Sequence, residues 1–150
     1  MSLEVKNIYN KYGLFTNNFI KKNEVISRID GKIIQTNDFA SIPVDYLQFD
    51  SNRFLDLNGT NEFYLRHSCN PNCFIKSGID KVFLLSIRNI LPQEELFIDY
   101  SISSTEDIDT FSMECYCGYP ECRKIISGYK KLPKEKQAEY YNFGIIPSYI

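Results

Sequence analysis

Three cysteines stand close together as Cys115-x-Cys117-x4-Cys122, and two more, Cys69 and Cys73, flank a proline in Arg66-His67-Ser68-Cys69-Asn70-Pro71-Asn72-Cys73. The first group is spaced tightly enough for its thiolates to converge on one tetrahedral ion, and Gly118 and Pro120 inside it help the chain wrap. Closed structural zinc sites take four ligands, so a residue remote in sequence must complete this one, and Cys69 and Cys73 are the available donors. Two distant segments must therefore meet. Without a secretion signal, five cysteines do not suggest a disulfide scaffold, and no ferredoxin spacing favours an iron–sulfur cluster over zinc. The plainer alternative is a set of free thiols.

A chain of 150 residues that is 43% hydrophobic can bury one sizeable core, so a single globular domain is expected. The 11 Tyr and 11 Phe suit ring-lined grooves, although most such rings belong to ordinary core. No run of apolar residues approaches the ~18 needed for a membrane span, and no basic leader precedes one. A soluble, intracellular protein with no membrane partner is expected, in the nucleus if the source is eukaryotic or host-targeted and otherwise in the cytoplasm; oligomeric state is not legible. The net charge of −2 argues against direct nucleic-acid binding, because phosphate binding wants a basic surface. Charge is nonetheless segregated. The 89–114 region holds Glu94, Glu95, Asp99, Glu106, Asp107, Asp109 and Glu114 with no Lys or Arg, whereas the 121–136 region is rich in Lys and Arg. Such separation suits steering of a basic peptide toward one face, or simply a solvated acidic loop.

Short elements dominate. Val25–Ile29, then Lys32–Gln35 beyond Gly31, read as strand, turn and strand. Phe54–Leu57 alternates and meets the Asn58-Gly59 turn signal, and Phe74–Gly78 with Val82–Ile87 reads as a hairpin. Leu96-Phe97-Ile98 makes a further short strand, with Phe97 assigned to the core by alternation. Helix is expected only at Pro43–Phe49 and at Pro133–Asn142, the latter closed by Gly144 and packed through a blunt stripe of Ala138, Tyr140 and Tyr141. The Ile145–Ile150 tail is expected to insert into a crevice. The class is mostly β with short helices and a C-terminal helix.

Four blocks, in order, resemble the SET domain of protein lysine methyltransferases, and the likeness covers roughly residues 11–126. They are Lys11-Tyr12-Gly13-Leu14-Phe15 with Asn23-Glu24-Val25-Ile26, then Arg66-His67-Ser68-Cys69-Asn70-Pro71-Asn72, then Glu94-Glu95-Leu96-Phe97-Ile98-Asp99-Tyr100, and finally Cys115 to Arg123, which is similar to a post-SET zinc segment. The resemblance implies small curved β-sheets in which the central and third blocks cross as a pseudoknot. It implies residues 1–112 as catalytic domain, 113–127 as zinc-binding segment and 128–150 as a C-terminal helix and tail.

It further implies S-adenosylmethionine as cofactor, lying along Lys11, Tyr12, Gly13 and Leu14 and against Arg66, His67 and the lid residue Ile126, with a structural zinc on Cys69, Cys115, Cys117 and Cys122. Resemblance selects Cys69 over Cys73. A lysine of a protein or peptide, such as a histone tail, would enter a channel formed by Ile98 and Tyr100. Methyl transfer to an amine requires an uncharged nitrogen, in line with the sulfonium methyl and stripped of water, so a tyrosine hydroxyl suits the inner end by supplying geometry. Tyr100 is the catalytic residue so implied. Ile98, where relatives carry Phe or Tyr, leans toward multiple methylation. Asn72 and Asp99 would tie the crossing together through buried hydrogen bonds.

Three positions depart from the family pattern: Lys11 replaces a Gly, Arg66 replaces an Asn, and Ile29 stands where Tyr is common. A guanidinium at 66 would repel the cofactor's ammonium unless it turned to the carboxylate or to a neighbouring acid. The alternative reading of the chain is a SET-fold module that binds a basic peptide and is catalytically weak or inactive.

Overall fold

The computed structural model describes residues 1–38, 41–42, 46–103 and 112–150. The chain opens with a hairpin of β1 (Leu3–Ile8) and β2 (Lys11–Thr16), paired antiparallel from Leu3 opposite Thr16 to Ile8 opposite Lys11. The two residues between them, Tyr9 and Asn10, have φ of 51° and 64°, the mirror-image turn whose twist matches that of paired strands. The sequence reading did not anticipate β1.

β3 (Val25–Ile29) follows, then β4 (Ile33–Gln35), as expected around Gly31, but the two do not pair with each other. β4 joins β5 (Tyr46–Gln48) and β6 (Arg53–Asp56) in the order β4-β6-β5. The helix expected over Pro43–Phe49 is thus corrected, since Tyr46–Gln48 is strand; residues 43–45 lie outside the described residues. Pairing with β6 satisfies the backbone of β5 and buries Leu47 beside its register partner Leu55, a gain that outweighs a weak local helix preference. The Asn58-Gly59 turn forms, closed by Thr60 N–H donating to Leu57 O at 3.0 Å, but it leads into a single 3-10 turn at Asn61–Tyr64.

β7 (Arg66–His67) comes next, then the expected hairpin of β8 (Cys73–Ser77) and β9 (Val82–Ser86), with Ser77 opposite Val82. β3 adds to its far edge in the order β3-β9-β8. Val82, Leu84 and Ser86 are buried while Phe83 and Leu85 are half-buried, the alternation of a strand with one face in the core. β10 (Phe97–Ile98) then lies parallel to β7, which brings the central and third blocks side by side, and β11 (Ser112–Glu114) pairs antiparallel with β12 (Ile125–Ser127) around the cysteine-rich loop.

The main core gathers Leu14, Ile20, Ile29, Leu55, Leu84, Leu96 and Ile98 from nearly every sheet. A second cluster of Phe74, Ile87, Ile102, Leu132, Tyr140 and Ile145 seats α1 (Lys134–Phe143). α1 begins after Pro133 and ends at Gly144, which takes φ of 66°. It docks through one ring rather than a stripe, because Tyr140 is its only buried residue while Tyr141 and Ala138 face solvent. Beyond it Ile145 is buried, and the Tyr149 hydroxyl donates to Gln48 O at 2.8 Å, so the tail is held against β5.

Asn72 holds the crossing together. It is 1% exposed, accepts from Phe97 N–H at 2.8 Å, and donates from Nδ2 to Glu95 O at 2.7 Å and to Glu94 Oε1 at 3.2 Å. Replacing it by alanine strands the Phe97 N–H and the Glu95 carbonyl, both on half-buried residues. Asn72→Ala is expected to lower folding stability by about 2–4 kcal/mol in a denaturant titration, and a loss below ~1 kcal/mol would show that the crossing does not depend on this amide.

Candidate active site and metal centre

Tyr100 starts a short 3-10 turn, Tyr100–Ile102, immediately after Asp99, whose carboxylate accepts from Ser101 N–H at 3.0 Å. The Tyr100 hydroxyl donates to Leu65 O at 2.8 Å, and its own N–H donates to His67 Nδ1 at 3.2 Å. The two rings lie 5.3 Å apart. Leu65 precedes β7 and His67 ends it while Tyr100 follows β10, so parallel pairing of two-residue strands is what places the phenol. Burial pushes the Tyr100 hydroxyl up against the pull of the Arg66 charge and a His67 hydrogen bond, which keeps the phenol neutral at ordinary pH.

His67 sits with its side chain 5% exposed. Burial depresses its pKa to about 4, over the opposing attraction of Asp99 and with Arg123 pushing the same way, so the ring is neutral. Since Nδ1 accepts from Tyr100, the proton resides on Nε2, which lies 3.4 Å from Cys69 Sγ. The imidazole therefore spans the tyrosine and the cysteine cluster.

Among the described residues, Cys69, Cys115, Cys117 and Cys122 place all four sulfurs within 4.8 Å of one another. Zinc–sulfur bonds of about 2.3 Å in a tetrahedron require sulfurs ~3.8 Å apart, and Cys69 and Cys115 are 3.7 Å apart. The donor set fits zinc. Gly118 takes φ of 75° within the loop, a turn that favours glycine. Backbone N–H groups of Arg123 and Lys124 point at Cys69 and Cys122 sulfur, each at 3.4 Å, as suits thiolates. Burial raises the Cys69 thiol and pushes Cys115 up to about 12, whereas Cys117 falls to about 6 because backbone groups of Cys69 and Tyr119 outweigh its burial. Cys73 stands apart, fully buried, with its thiol donating to Asn72 Oδ1 at 3.3 Å.

Arg66, the departure from the family pattern, makes two hydrogen bonds of 2.6 Å to the two oxygens of Glu95 and lies over Phe97 at 5.7 Å. Phe97 is accordingly half-buried beneath a guanidinium and not in the core as its alternation suggests. Glu95 in turn abuts β2: a Cβ on Gly13 would come within 2.2 Å of Glu95 Oε1, so any side chain there would push the Glu95 carboxylate off its place beside Arg66. Leu14 is buried and its carbonyl already accepts from Leu96 N–H at 2.7 Å, while Lys11 and Tyr12 are exposed and Tyr12 tilts against Tyr64 at 5.7 Å. Ile98 is buried in the main core, against which Tyr100 packs; Ile126 is buried with Cys69 and Cys115, while Ile125 is exposed.

Gly13, Arg66, His67, Cys69 and Tyr100 thus fall into one contiguous network. The sequence reading missed Glu95 as the partner of Arg66, Arg123 and Tyr140. Arg123 donates to both Asp99 oxygens at 2.7 Å, and the Tyr140 hydroxyl donates to Asp99 at 2.6 Å. A buried carboxylate demands such donors, so Asp99 was the signal to search for them.

The family profile described as SET domain matches residues 11–101, and the chain belongs to that family. The cysteine cluster resembles its post-SET zinc segment. The chain is 28% identical over 133 residues to an H3 lysine-36 specific histone-lysine N-methyltransferase of Debaryomyces hansenii, covering 78% of this chain and 18% of that protein. It is 28% identical over 127 residues to histone-lysine N-methyltransferase trr of Drosophila melanogaster, covering 75% and 5%. Among solved structures it resembles KRYPTONITE in complex with mCHH DNA, H3(1-15) peptide and SAH, with a TM-score of 0.65 and 26% identity over 83% of this chain and 29% of that one. A second structure, KRYPTONITE with mCHG DNA and SAH, gives a TM-score of 0.67 at 25% identity, over 83% and 28%.

These structures correct one expectation. A protein of this fold is held in complex with DNA, so the net charge of −2 does not argue nucleic acid away. Net charge averages over the surface, whereas phosphate binding depends on where cations lie. Among the described residues no helix is long and apolar enough to cross a membrane.

Metal retention is the direct check on the cluster. Cys117→Ser is expected to lose bound zinc and to lower the melting temperature by about 5–10 °C, while Cys73→Ala keeps the full metal content, read by elemental analysis and a thermal melt. Zinc lost equally from both variants would overturn the assignment of ligands.

Proposed function

We propose that the chain is an S-adenosylmethionine-dependent protein-lysine N-methyltransferase acting on lysine in histone-like tails. The observation that carries this reading is the meeting of the first three sequence blocks in one network that ends at a phenol: Gly13 against Glu95, Glu95 on Arg66, and Leu65 and His67 on Tyr100. The cofactor supplies an electrophilic methyl group; this chain supplies position. Lys11, Tyr12, Gly13 and Leu14 would hold the cofactor together with Arg66, His67 and Ile126, the glycine leaving room between β2 and Glu95. Tyr100 is the catalytic residue. Its neutral hydroxyl, anchored on Leu65 O, would orient the lysine amine in a channel shared with Ile98.

Zinc on Cys69, Cys115, Cys117 and Cys122 has a structural role, holding Ile126 beside the site. On this reading residues 1–112 form the catalytic unit, 113–127 the metal segment and 128–150 the packed helix and tail, and in a eukaryotic source the protein would work in the nucleus. The pairing of Arg66 with Glu95 supports an active enzyme over a blocked peptide-binding module, since the guanidinium charge is already answered. Ile98, without a hydroxyl to hold a restricting water, favours multiple methylation.

DNA is proposed as a further partner. Lys124, Lys130, Lys131 and Lys134 are exposed in sequence order beyond the cysteines and give a local basic surface.

Incubation with labelled cofactor and core histones is expected to label a histone, with Tyr100→Phe slower by about 100-fold or more and mass spectrometry detecting di- or trimethyl-lysine. Absence of transfer by the wild-type chain on histones and lysates alike would overturn the enzymatic reading. For DNA, affinity for a short duplex is expected to fall about tenfold or more between 50 and 200 mM salt and to weaken further in Lys130→Gln/Lys131→Gln. Binding that ignores both changes would remove this surface from consideration.

A further inference from the structure

A cleft of about 560 Å3 opens where the start of β1, the middle of β3 and the turn into the 3-10 segment meet, lined among others by Leu3, Ser27, Thr60 and Glu62. None of the described residues lining it belongs to the cysteine cluster or to the groups assigned to the cofactor and the lysine channel. Glu62 is the unusual member. The residue is 6% exposed, yet it makes no ion pair among the described residues: Oε1 accepts from the Ser27 hydroxyl at 2.6 Å, and Oε2 has no partner there. A buried carboxylate costs free energy unless donors answer it. Arg123 Nε is the only sealed side-chain nitrogen or oxygen without a partner among the described residues, so Oε2 is not sealed, and the cleft is the space onto which Glu62 opens.

The neighbouring charges do not answer it. Arg28 also lines the cleft, but its Nε pairs with Asp30 Oδ1 at 3.0 Å, and both of those side chains are exposed. They cancel, which leaves the charge of Glu62 as the net charge of the lining side chains. The hydroxyls point to the same complement. Ser27 has given its proton to Glu62, and Thr60 has given its own to Leu57 O at 2.8 Å, so each has only lone pairs left to offer. Ser2 and Asn61, both exposed, can turn an acceptor inward as well. A ligand that suits such a lining donates and does not accept. An ammonium carries three donors and no acceptor on a point charge, whereas a guanidinium matches a carboxylate with both oxygens free, and here Ser27 holds one. Ile26, buried, and Leu3, half-buried, give the wall an apolar part that suits a short alkyl stem.

We propose that this cleft binds a primary alkylammonium group through Glu62, with the Ser27 hydroxyl holding the carboxylate in place. The chemistry is that of a lysine side chain on a protein partner or of a free aliphatic diamine. The site shares no residue with the methyl-transfer machinery and does not depend on it.

An amide NMR titration of the metal-loaded chain tests this with n-butylammonium, n-butylguanidinium and n-butanol. Butylammonium is expected to shift the amides of Ser27, Asn61 and Glu62 and to bind about tenfold or more tighter than butanol, which has the same alkyl chain and no charge, and tighter than butylguanidinium. Glu62→Gln, which keeps an oxygen for Ser27, is expected to lose the margin over butanol. The comparison of butylammonium with butanol on the unaltered chain reads the proposal if that variant fails to fold. Equal binding of butylammonium and butanol, or a Glu62→Gln chain that keeps the margin, overturns the site; butylguanidinium binding as tightly as butylammonium overturns the ammonium assignment. Cadaverine and an acetylated, amidated lysine peptide then separate the two sources, and tighter binding of either one names the source and upholds the site.

Discussion

A single buried carboxylate organises this molecule. Asp99 is fully inaccessible, and a charge in such a place is tolerated only with donors on every side. It has them: two prongs from Arg123, the hydroxyl of Tyr140 and the N–H of Ser101. Burial opposes its ionisation, but these bonds and the Arg123 charge hold its pKa below the ordinary carboxylate value. The three side-chain and backbone partners come from three separate parts of the chain. Arg123 follows the last cysteine, Tyr140 is the one buried residue of α1, and Ser101 belongs to the turn that carries Tyr100. One ionised group thereby joins the metal segment, the C-terminal helix and the site.

The same economy governs Tyr100. Its backbone, ring and hydroxyl are each fixed by a residue at or beside β7, a strand two residues long. So short a strand could not hold a register alone. Asn72, bonded to Phe97 N–H and Glu95 O, supplies what the ladder lacks. His67 extends the arrangement, because the ring that accepts from Tyr100 N–H presents its other nitrogen to Cys69. Order in the metal cluster and order at the phenol are consequently linked through one neutral imidazole, whose burial keeps it neutral.

What could be read from the sequence was what local chemistry specifies. The β8–β9 hairpin was visible because alternation and a four-residue loop are local signals, and α1 was visible because Pro133 and Gly144 bracket it. Convergence of four cysteines followed from the valence of zinc together with family likeness. β5 was misread because nothing within it announces that β6 will supply its hydrogen bonds. Glu95 was overlooked for a related reason. It stands in a motif whose regularity invites a shared explanation, whereas its partner is a residue peculiar to this chain, twenty-nine positions away. Tyr140 is likewise silent in the helix pattern, since a single docking ring leaves no periodic stripe.

The segregation of charge along the chain takes on a different sense in three dimensions. Of the acidic residues between 89 and 114, Glu94 is bonded to Arg88, Glu95 to Arg66 and Asp99 to Arg123. Asp99 serves the interior, while Glu94 and Glu95 are half-buried and each is answered by an arginine, so none of the three is a free charge projected toward a basic peptide; Glu106, Asp107 and Asp109 lie outside the described residues. Arg123 is consumed in the same way and is subtracted from the basic segment that it begins. Attraction of a basic tail by this face therefore cannot be inferred from the run of acids as a whole. Sequence blocks of like charge overstate surface fields wherever their members find opposite partners across a crossing, and this fold is built around such a crossing.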